Sequence, residues 1–383
     1  MINAVDLTLL IGPGVPVPAL PPVVTALEGV QVTSATDRAG FQLTFSIGTS
    51  SLIQTVLLPA GYFDPIVTRV IVMVTVKGLP QVLIDGVVTR HELSPSNEPG
   101  KSTLTVTGED LTALMGLVEM PFMRFPAQPV PVRVLQILAK YAAFGIVPIV
   151  IPPVIPGMSN PLRELPTQRG TDLDYIRELA GNAGYVFYLE PGPAPGMNLA
   201  YFGPDVRIPI PQPALAINLD GHSNVDSLTF SLDGLAKKVV VLQTLDPVTE
   251  KILLSLPVPN VSILRPPLGA RLTPPVKVEF SREYASLDIS EAIGRALALS
   301  FASSDAITAS GSLDVMRYGR TLRSRMLVGV RGAGLAYDGL YYVNSVNHDI
   351  KRGSYKQSFS LSRDGLVSPT PVVPALDPLG VVA

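Results

Sequence analysis

Apolar and polar residues alternate with a period of two through most of the first third of the chain. Phe41-Gln42-Leu43-Thr44-Phe45-Ser46-Ile47 and Leu104-Thr105-Val106-Thr107 place apolar side chains on one face only, the pattern of a half-buried strand. Val67 to Val76 is β-branched and nearly continuous, which predicts a strand covered on both faces. Val82-Leu83-Ile84-Asp85-Gly86-Val87-Val88 continues the theme, and Ser94-Pro95-Ser96-Asn97-Glu98-Pro99-Gly100 is a dense turn cluster. From Val5 to Leu111 the pattern therefore predicts an all-β unit, a barrel or sandwich.

The period then changes. Pro131 suits a first helical turn, and Val134, Leu135, Leu138, Tyr141 and Ala142 fall at helical spacing. In Thr171-Asp172-Leu173-Asp174-Tyr175-Ile176-Arg177-Glu178-Leu179-Ala180 the spacing of Thr171 and Asp174 predicts a capping box. Leu173, Ile176, Leu179 and Ala180 form one stripe, and Gly184 supplies a left-handed stop. Tyr185-Val186-Phe187-Tyr188-Leu189 leaves as a strand, ending at Pro191-Gly192-Pro193-Ala194-Pro195-Gly196.

Strand patterns return at Leu228-Thr229-Phe230-Ser231-Leu232 and Val239-Val240-Val241-Leu242. A helix is expected from near Ser290 through Leu299. Then Leu340 to Val346 and Tyr355 to Leu361 form a hairpin around Lys351-Arg352-Gly353, with a loose Pro-rich tail expected after Asp364.

The two β regions end alike. Val87 to Leu93 closes with His91-Glu92-Leu93 and returns through Leu104 to Leu111, while Val343 to Ile350 closes with His348-Asp349-Ile350 and returns through Phe359 to Leu366. The His-to-Leu spacings are 20 and 18, so the second turn is about two residues shorter. This pairing predicts a duplicated β unit, with His91 and His348 at equivalent strand ends. Three such chains in a ring present six similar units, enough to meet a six-fold object on one face and a three-fold object on the other.

Thr171 to Ala180 followed by Gly184-Tyr185-Val186-Phe187-Tyr188 resembles the matching segment of phage late-control D proteins and of the N-terminal part of VgrG. So does the order Asp338-Gly339-Leu340-Tyr341-Tyr342-Val343, Val346-Asn347-His348, Gly353-Ser354-Tyr355 and Phe359-Ser360-Leu361. The resemblance runs from about Val5 to Asp364. It implies a mainly β fold with α+β insertions: a first tube-like β-barrel domain (1–120), a helical and mixed insert (121–205), a second tube-like barrel with a helical insertion (206–366) and a Pro-rich tail (367–383). It also implies a trimeric baseplate hub, in a phage tail or a cytoplasmically assembled contractile injection particle. The implied partners are a hexameric tail tube or tube initiator, a separate trimeric spike and other baseplate proteins. VgrG continues into an oligonucleotide-binding-fold neck and a β-helical needle, and no needle repeats follow Asp364 in this sequence.

Composition narrows the alternatives. The 383 residues hold 38 Pro and 32 Gly, a turn-rich chain, yet 47% are hydrophobic and only 16% charged, the opposite of a disordered composition. So few charges also imply a surface largely covered by partners. A net charge of −2 argues against binding nucleic acid by neutralising phosphates. No Lys or Arg precedes Arg38, which argues against a Sec signal. Pro148, Pro152 and Pro153 interrupt the greasiest stretch, Ile146 to Ile155, which argues against a membrane-spanning helix.

Chemistry is sparse. There is no Cys, and His91, His222 and His348 are too scattered for a metal signature, so no cofactor or metal is expected. Gly12-Pro13-Gly14 and Gly332-Ala333-Gly334 lack a following phosphate-binding helix and read as tight turns. Asp172 and Asp174 point to different helix faces, which favours capping over paired acid–base work. Asn260-Val261-Ser262 matches a glycosylation acceptor. A cell-wall hydrolase would need a positioned carboxylate pair or metal site, and an adhesion module would need aromatic platforms, whereas Trp is absent and aromatics are 6%. The one candidate contact cluster is Arg317, Arg320, Arg323, Arg325 and Arg331, expected as a salt-bridged rim, a surface for an acidic partner or the lining of a central channel.

Overall fold

The computed structural model describes residues 5–36, 38–48, 50–98, 101–126, 128–152, 166–207, 211–219, 223–245, 252–258, 265–281 and 305–369. The expected helix near Ser290, His222, Asn260 and the tail beyond residue 369 lie outside them.

The alternating segment of the first β region is an inner strand of an antiparallel unit. Phe41, Leu43, Phe45 and Ile47 are buried while Gln42, Thr44 and Ser46 are half-buried on the other face. The unit holds β1 (Val5–Pro13), β2 (Val17–Pro18), β3 (Leu27–Ala35), β4 (Ala39–Ile47), β5 (Thr68–Val76), β6 (Leu79–Ser94) and β7 (Ser102–Asp110), in the order β3-β4-β7-β6-β5-β1-β2. A short helix, α1 (Pro21–Ala26), joins β2 to β3. The crossing from β4 to β5 carries a π-helical turn, Ile53–Leu57, whose Ile53 and Leu57 enter the core beside Phe63. β5 is buried at five successive positions from Thr68 to Val72, as a strand covered on both faces should be.

The insert packs α2 (Thr112–Met115), α3 (Val130–Ala139) and α4 (Asp172–Ala183) with a sheet of β8 (Ile146–Val150), β9 (Val186–Pro191) and β10 (Asn198–Gly203), ordered β8-β10-β9. Its core is separate from that of the β units and centres on Phe125 stacked against Tyr175, with ring centroids 5.5 Å apart. The capping box of α4 is formed: Asp174 N donates to Thr171 Oγ1 at 3.2 Å and Thr171 N donates to Asp174 Oδ2 at 3.1 Å. Gly184 ends the helix in the left-handed region at φ 68°. On α3 the expected stripe is rotated: Arg133, Val134, Ile137 and Leu138 are buried whereas Leu135 is exposed, and the helix ends before Tyr141 and Ala142. Arg133 reaches the interior because its guanidinium donates to Gln128 O at 2.7 Å.

The second β unit contains β11 (Gln212–Ala216) and β12 (Ser227–Leu232). A side layer follows, with β13 (Lys238–Leu245), β14 (Ile252–Val258), β15 (Arg271–Leu272) and β16 (Lys277–Ser281). The unit resumes with β17 (Ile307–Asp314), the short helix α5 (Val315–Tyr318), β18 (Leu327–Arg331), β19 (Gly339–Lys351), β20 (Ser354–Arg363) and β21 (Gly365–Leu366). The described chain keeps a defined path past Asp364, because β21 pairs with β15.

Both units share one strand order. The first runs β1-β5-β6-β7-β4-β3 and the second β11-β18-β19-β20-β17-β12, with members in the same chain order and a helical turn following the fifth strand of each order, β4 and β17. Each long hairpin has a bulge at the same place, at Thr89 between the paired Val88 and Arg90 and at Asn344 between Val343 and Ser345. One pairing differs: β1 runs antiparallel to β5, but β11 runs parallel to β18, since the chain enters β11 from the insert. The bulges also correct the equivalence of the histidines. Register counted from them matches His91 to Val346, two residues before His348, because the spacing to the turn is not what sets the pairing. His91 is exposed and His348 buried.

The barrels expected from the resemblance do not close on themselves among the described strands. β3 pairs with β19 instead of β1, from Gly29 opposite Lys351 to Ala35 opposite Ser345, and joins the two units into one 13-stranded sheet over one continuous core. Among the described residues no helix is long and apolar enough to cross a membrane.

His348 sits at this junction, 5% exposed. The Gln357 amide is oriented by Leu322, accepting from its N and donating to its O, both at 2.9 Å. Gln357 Nε2 therefore faces His348 Nδ1, at 3.3 Å, as a donor, and the Tyr355 hydroxyl lies 2.7 Å from the same nitrogen. Nδ1 is thus an acceptor in a neutral ring, and burial lowers the His348 pKa to about 3. Below the unfolded value near 6.5 the unfolded chain takes up a proton that the folded chain refuses. Stability is full above that pH and lost as pH falls toward 3. Between pH 7.5 and 5 this residue alone is expected to remove about 2 kcal/mol. Urea titrations of wild type and His348→Gln at both pH values check it: the variant's loss should be smaller by that amount, and equal losses would contradict it.

Candidate functional site

Polar joints tie the insert to both β units. Arg69 and Asp85 are the charged residues inside two otherwise apolar strand runs, and they meet across β5 and β6 as a bidentate pair, Nε to Oδ1 and Nη2 to Oδ2 both at 2.7 Å. The Asp85 side chain is fully buried. Its Oδ2 also accepts from Asn198 Nδ2 of β10 at 2.8 Å, and Arg69 Nη2 donates onward to Phe144 O at 2.8 Å. The backbone is close here. A Cβ on Gly145, whose φ is +76°, would lie 2.0 Å from Gly196 O, so only glycine fits.

A second joint links the insert to the second unit. Arg207 grips Asp305 with Nη1 to Oδ1 and Nη2 to Oδ2, both 2.9 Å, and its guanidinium lies 4.4 Å from the centre of the Tyr342 ring. Ser362 Oγ donates to Asp305 Oδ2 at 2.6 Å, Tyr342 OH donates to Asp205 Oδ1 at 3.2 Å, and Arg265 Nη2 is 3.5 Å from Asp205. These groups line a cavity of about 510 Å³ together with Thr36, Tyr185 and Asn344, so all three parts of the chain contribute. Burial acts to raise the Asp305 pKa, but Arg207, Ser362 and Arg265 outweigh it and hold the carboxyl below its usual range. Asp205 and Asp305 both face Arg207 or Arg265, so the cavity wall carries paired opposite charges.

The five candidate arginines are not gathered on one rim. Arg317 pairs with Asp226 at 3.0 Å and Arg323 with Glu190 at 2.6 Å, both half-exposed. Arg325 turns inward: its guanidinium lies 4.2 Å from the Tyr188 ring centre and donates to Thr36 O at 3.2 Å and to Ala35 O. It adopts a left-handed φ of 61°, a conformation that costs a non-glycine residue roughly 1–2 kcal/mol and persists because these contacts fix it. Arg320 is partly buried near Tyr318, and Arg331 ends β18 opposite Ala216.

The remaining sequence candidates serve structure. Asp172, 2% exposed, accepts from Lys140 Nζ at 3.1 Å, Tyr141 OH at 2.8 Å and Gln168 Nε2 at 2.7 Å, whereas Asp174 caps the helix at the surface. Gly14, Gly332 and Gly334 all have positive φ, as tight turns require. Among the described residues no three His, Asp or Glu side chains gather into a metal-binding set. The Asp85 and Asp305 joints were missed by sequence reasoning. A lone charge within each of two adjacent apolar runs was the available signal for Arg69 and Asp85, while Arg207 and Asp305 are separated by the side layer and leave none.

The mainly β fold, with its repeated strand order around an α/β insert, can be compared with solved structures. The chain shares its fold with the 43 kDa tail protein of prophage MuSo2 from Shewanella oneidensis (TM-score 0.60, 14% identity, covering 95% of this chain and 100% of that one). It is likewise similar to a tail protein from Neisseria meningitidis MC58 (0.59, 13%, covering 95% and 98%). It is also similar to a chain of the Francisella PdpA–VgrG complex in a half-lidded form (0.56, 11%, covering 97% of this chain and 60% of that one). No family profile matches the sequence. No curated protein matches it either.

Breaking the first joint on one side leaves a buried carboxylate without its cation, a loss of about 3–5 kcal/mol. Arg69→Met is therefore expected to cost that much in urea unfolding, and Arg69→Met with Asp85→Leu to cost less. A double variant at least as unstable as the single one would contradict the pairing.

Proposed function

We propose that this chain is a structural hub of a contractile tail, a homotrimer that adapts a hexameric tail tube or tube initiator to a separate trimeric spike. The observation that carries the reading is the repeated strand order, which gives each chain two equivalent β units and a trimer six. The tail proteins and the VgrG assembly that share the fold support a place in the baseplate of a phage tail or injection particle, among other baseplate proteins.

On this reading residues 1–120 and 206–366 are the two tube-like units, 121–205 is a buttress between them, and 367–383 is a tail. The function is mechanical and not enzymatic: the two arginine–carboxylate joints lock the buttress, and the hub must stay closed when the tube is driven through it. An obligate interface of this kind buries on the order of 2,000–5,000 Å². Arg317, Arg320, Arg323 and Arg331 are assigned to partner contact or to the channel wall, and Arg325 to the wall where the parts meet. Mass measurement by light scattering, with end-on electron micrographs of the purified chain, tests the reading. A trimer with six-lobed projections is expected, and a stable monomer at high concentration would overturn it.

A further inference from the structure

Among the strand edges of the described sheet that lack a neighbour, two match each other through the repeat. β5 follows β6 as far as Arg69 opposite Val87, and Ile66 N donates to Val88 O at 2.6 Å. Past the bulge at Thr89, the segment Arg90–Ser94 pairs with β7 on one side and, among the described residues, with no strand on the other. All five of its residues are exposed. β12 pairs with β17 on one side and ends the sheet.

The equivalent edges in the other half of the repeat are paired with each other. The part of β19 past its bulge, Ser345–Lys351, is the counterpart of Arg90–Ser94, and its partner β3 is the counterpart of β12. We propose that Arg90–Ser94 of one copy pairs antiparallel with β12 of a second copy, repeating between chains the junction that β3 and β19 make within one. This inference deepens the hub reading and rests on it for closure of the ring, since a head-to-tail contact closes only when the rotation allows.

The internal junction fixes the register. Counted through β4–β7 and β17–β20, Gly29–Ser34 match Ser227–Leu232. Ser345 opposite Ala35 then becomes Arg90 opposite Asp233. Leu232 falls opposite His91, Ser231 opposite Glu92, and Phe230 opposite Leu93. That register, copied from backbone alone, brings opposite charges face to face and sets an aliphatic residue against an aromatic one, two favourable cross-strand pairs. Leu93 and Leu232, now 37% and 43% exposed, lie on the core-facing side and become covered. Among the described residues the Arg90 side chain pairs with Glu92, an exposed contact worth little, which a turn toward Asp233 can replace. Asp233 is exposed and accepts from Leu235 N at 2.8 Å. Unpaired edge donors and acceptors become satisfied as well.

The chain has no Cys, so paired thiols can be placed without background. Glu92 and Ser231 both face solvent, and directly opposed residues have Cα atoms about 4.5–5.5 Å apart, within disulfide range. Full-length Glu92→Cys with Ser231→Cys, oxidised, is expected to give roughly tenfold more linked chains on non-reducing gels than the offset pair Glu92→Cys with Ser227→Cys. Arg90→Asp is expected to raise the concentration at which the oligomer dissociates by up to about fivefold, and Arg90→Asp with Asp233→Arg to restore it. A trimer of normal mass that fails to link, or that links equally in the offset pair, overturns the edge pairing and leaves the hub reading standing. Linked chains that never close at three overturn the hub reading alone. A monomer that does not link overturns both.

Discussion

A single strand carries the main-chain hydrogen bonds of two domains' worth of sheet. β19 keeps β20 on one side from Tyr342 to Lys351, but changes partner on the other: Gly339 to Tyr342 pair with β18 of its own unit, and Ser345 to Lys351 with β3 of the first. The bulge at Asn344 makes the change possible, because an extra residue bends the strand and increases its local twist. Buried main-chain donors cannot be left unpaired cheaply, so the path of β19 dictates where both units stand. The shared apolar core follows from that placement, and so does the position of the insert beside it.

Some of the charge of this molecule is placed in its interior. In a chain that is only 16% charged, Arg69, Arg207 and Arg363 are all buried, each aimed at a carboxylate or at backbone carbonyls. Such pairs bring little net stability over apolar packing, but a wrong arrangement leaves a bare charge in the interior. They act as locators, admitting one relative placement of insert and β units. The orientation of Tyr342 shows the same economy, its ring beneath Arg207 and its hydroxyl on Asp205.

Local pattern made most of the elements legible. Alternation gave β4, β7, β12 and β20, a continuous apolar run gave β5, and the Thr171–Asp174 spacing gave the start of α4. What stayed hidden was whatever depends on pairing across long separations. Nothing local tells β19 to leave β18 for β3, and nothing local says that β11 runs parallel to β18. The repeat itself was readable from the hairpin endings, but its register was not. Turn spacing aligned His91 with His348, while the bulges align His91 with Val346. The individual partners of the arginine group were hidden for a related reason, since closeness in sequence from α5 to β18 sends successive guanidinium groups toward different parts of the fold. The Arg207–Asp305 joint was the least visible, because its partners stand 98 residues apart with the side layer between them.

The hairpins of the two units end differently. β6 and β7 part after Ser94 and Thr103, leaving a long tip, whereas β19 and β20 stay paired to Lys351 and Ser354 and turn through Arg352 and Gly353. In a closed assembly, long and short prongs would alternate around the circumference over a backbone that repeats at every step. A neighbour that feels only the backbone meets one motif repeated, while a neighbour that reaches the prongs can tell odd positions from even ones. On the proposed hub reading, unequal loop length would act as a vernier, setting the angular phase at which two partners of different symmetry seat on the same body.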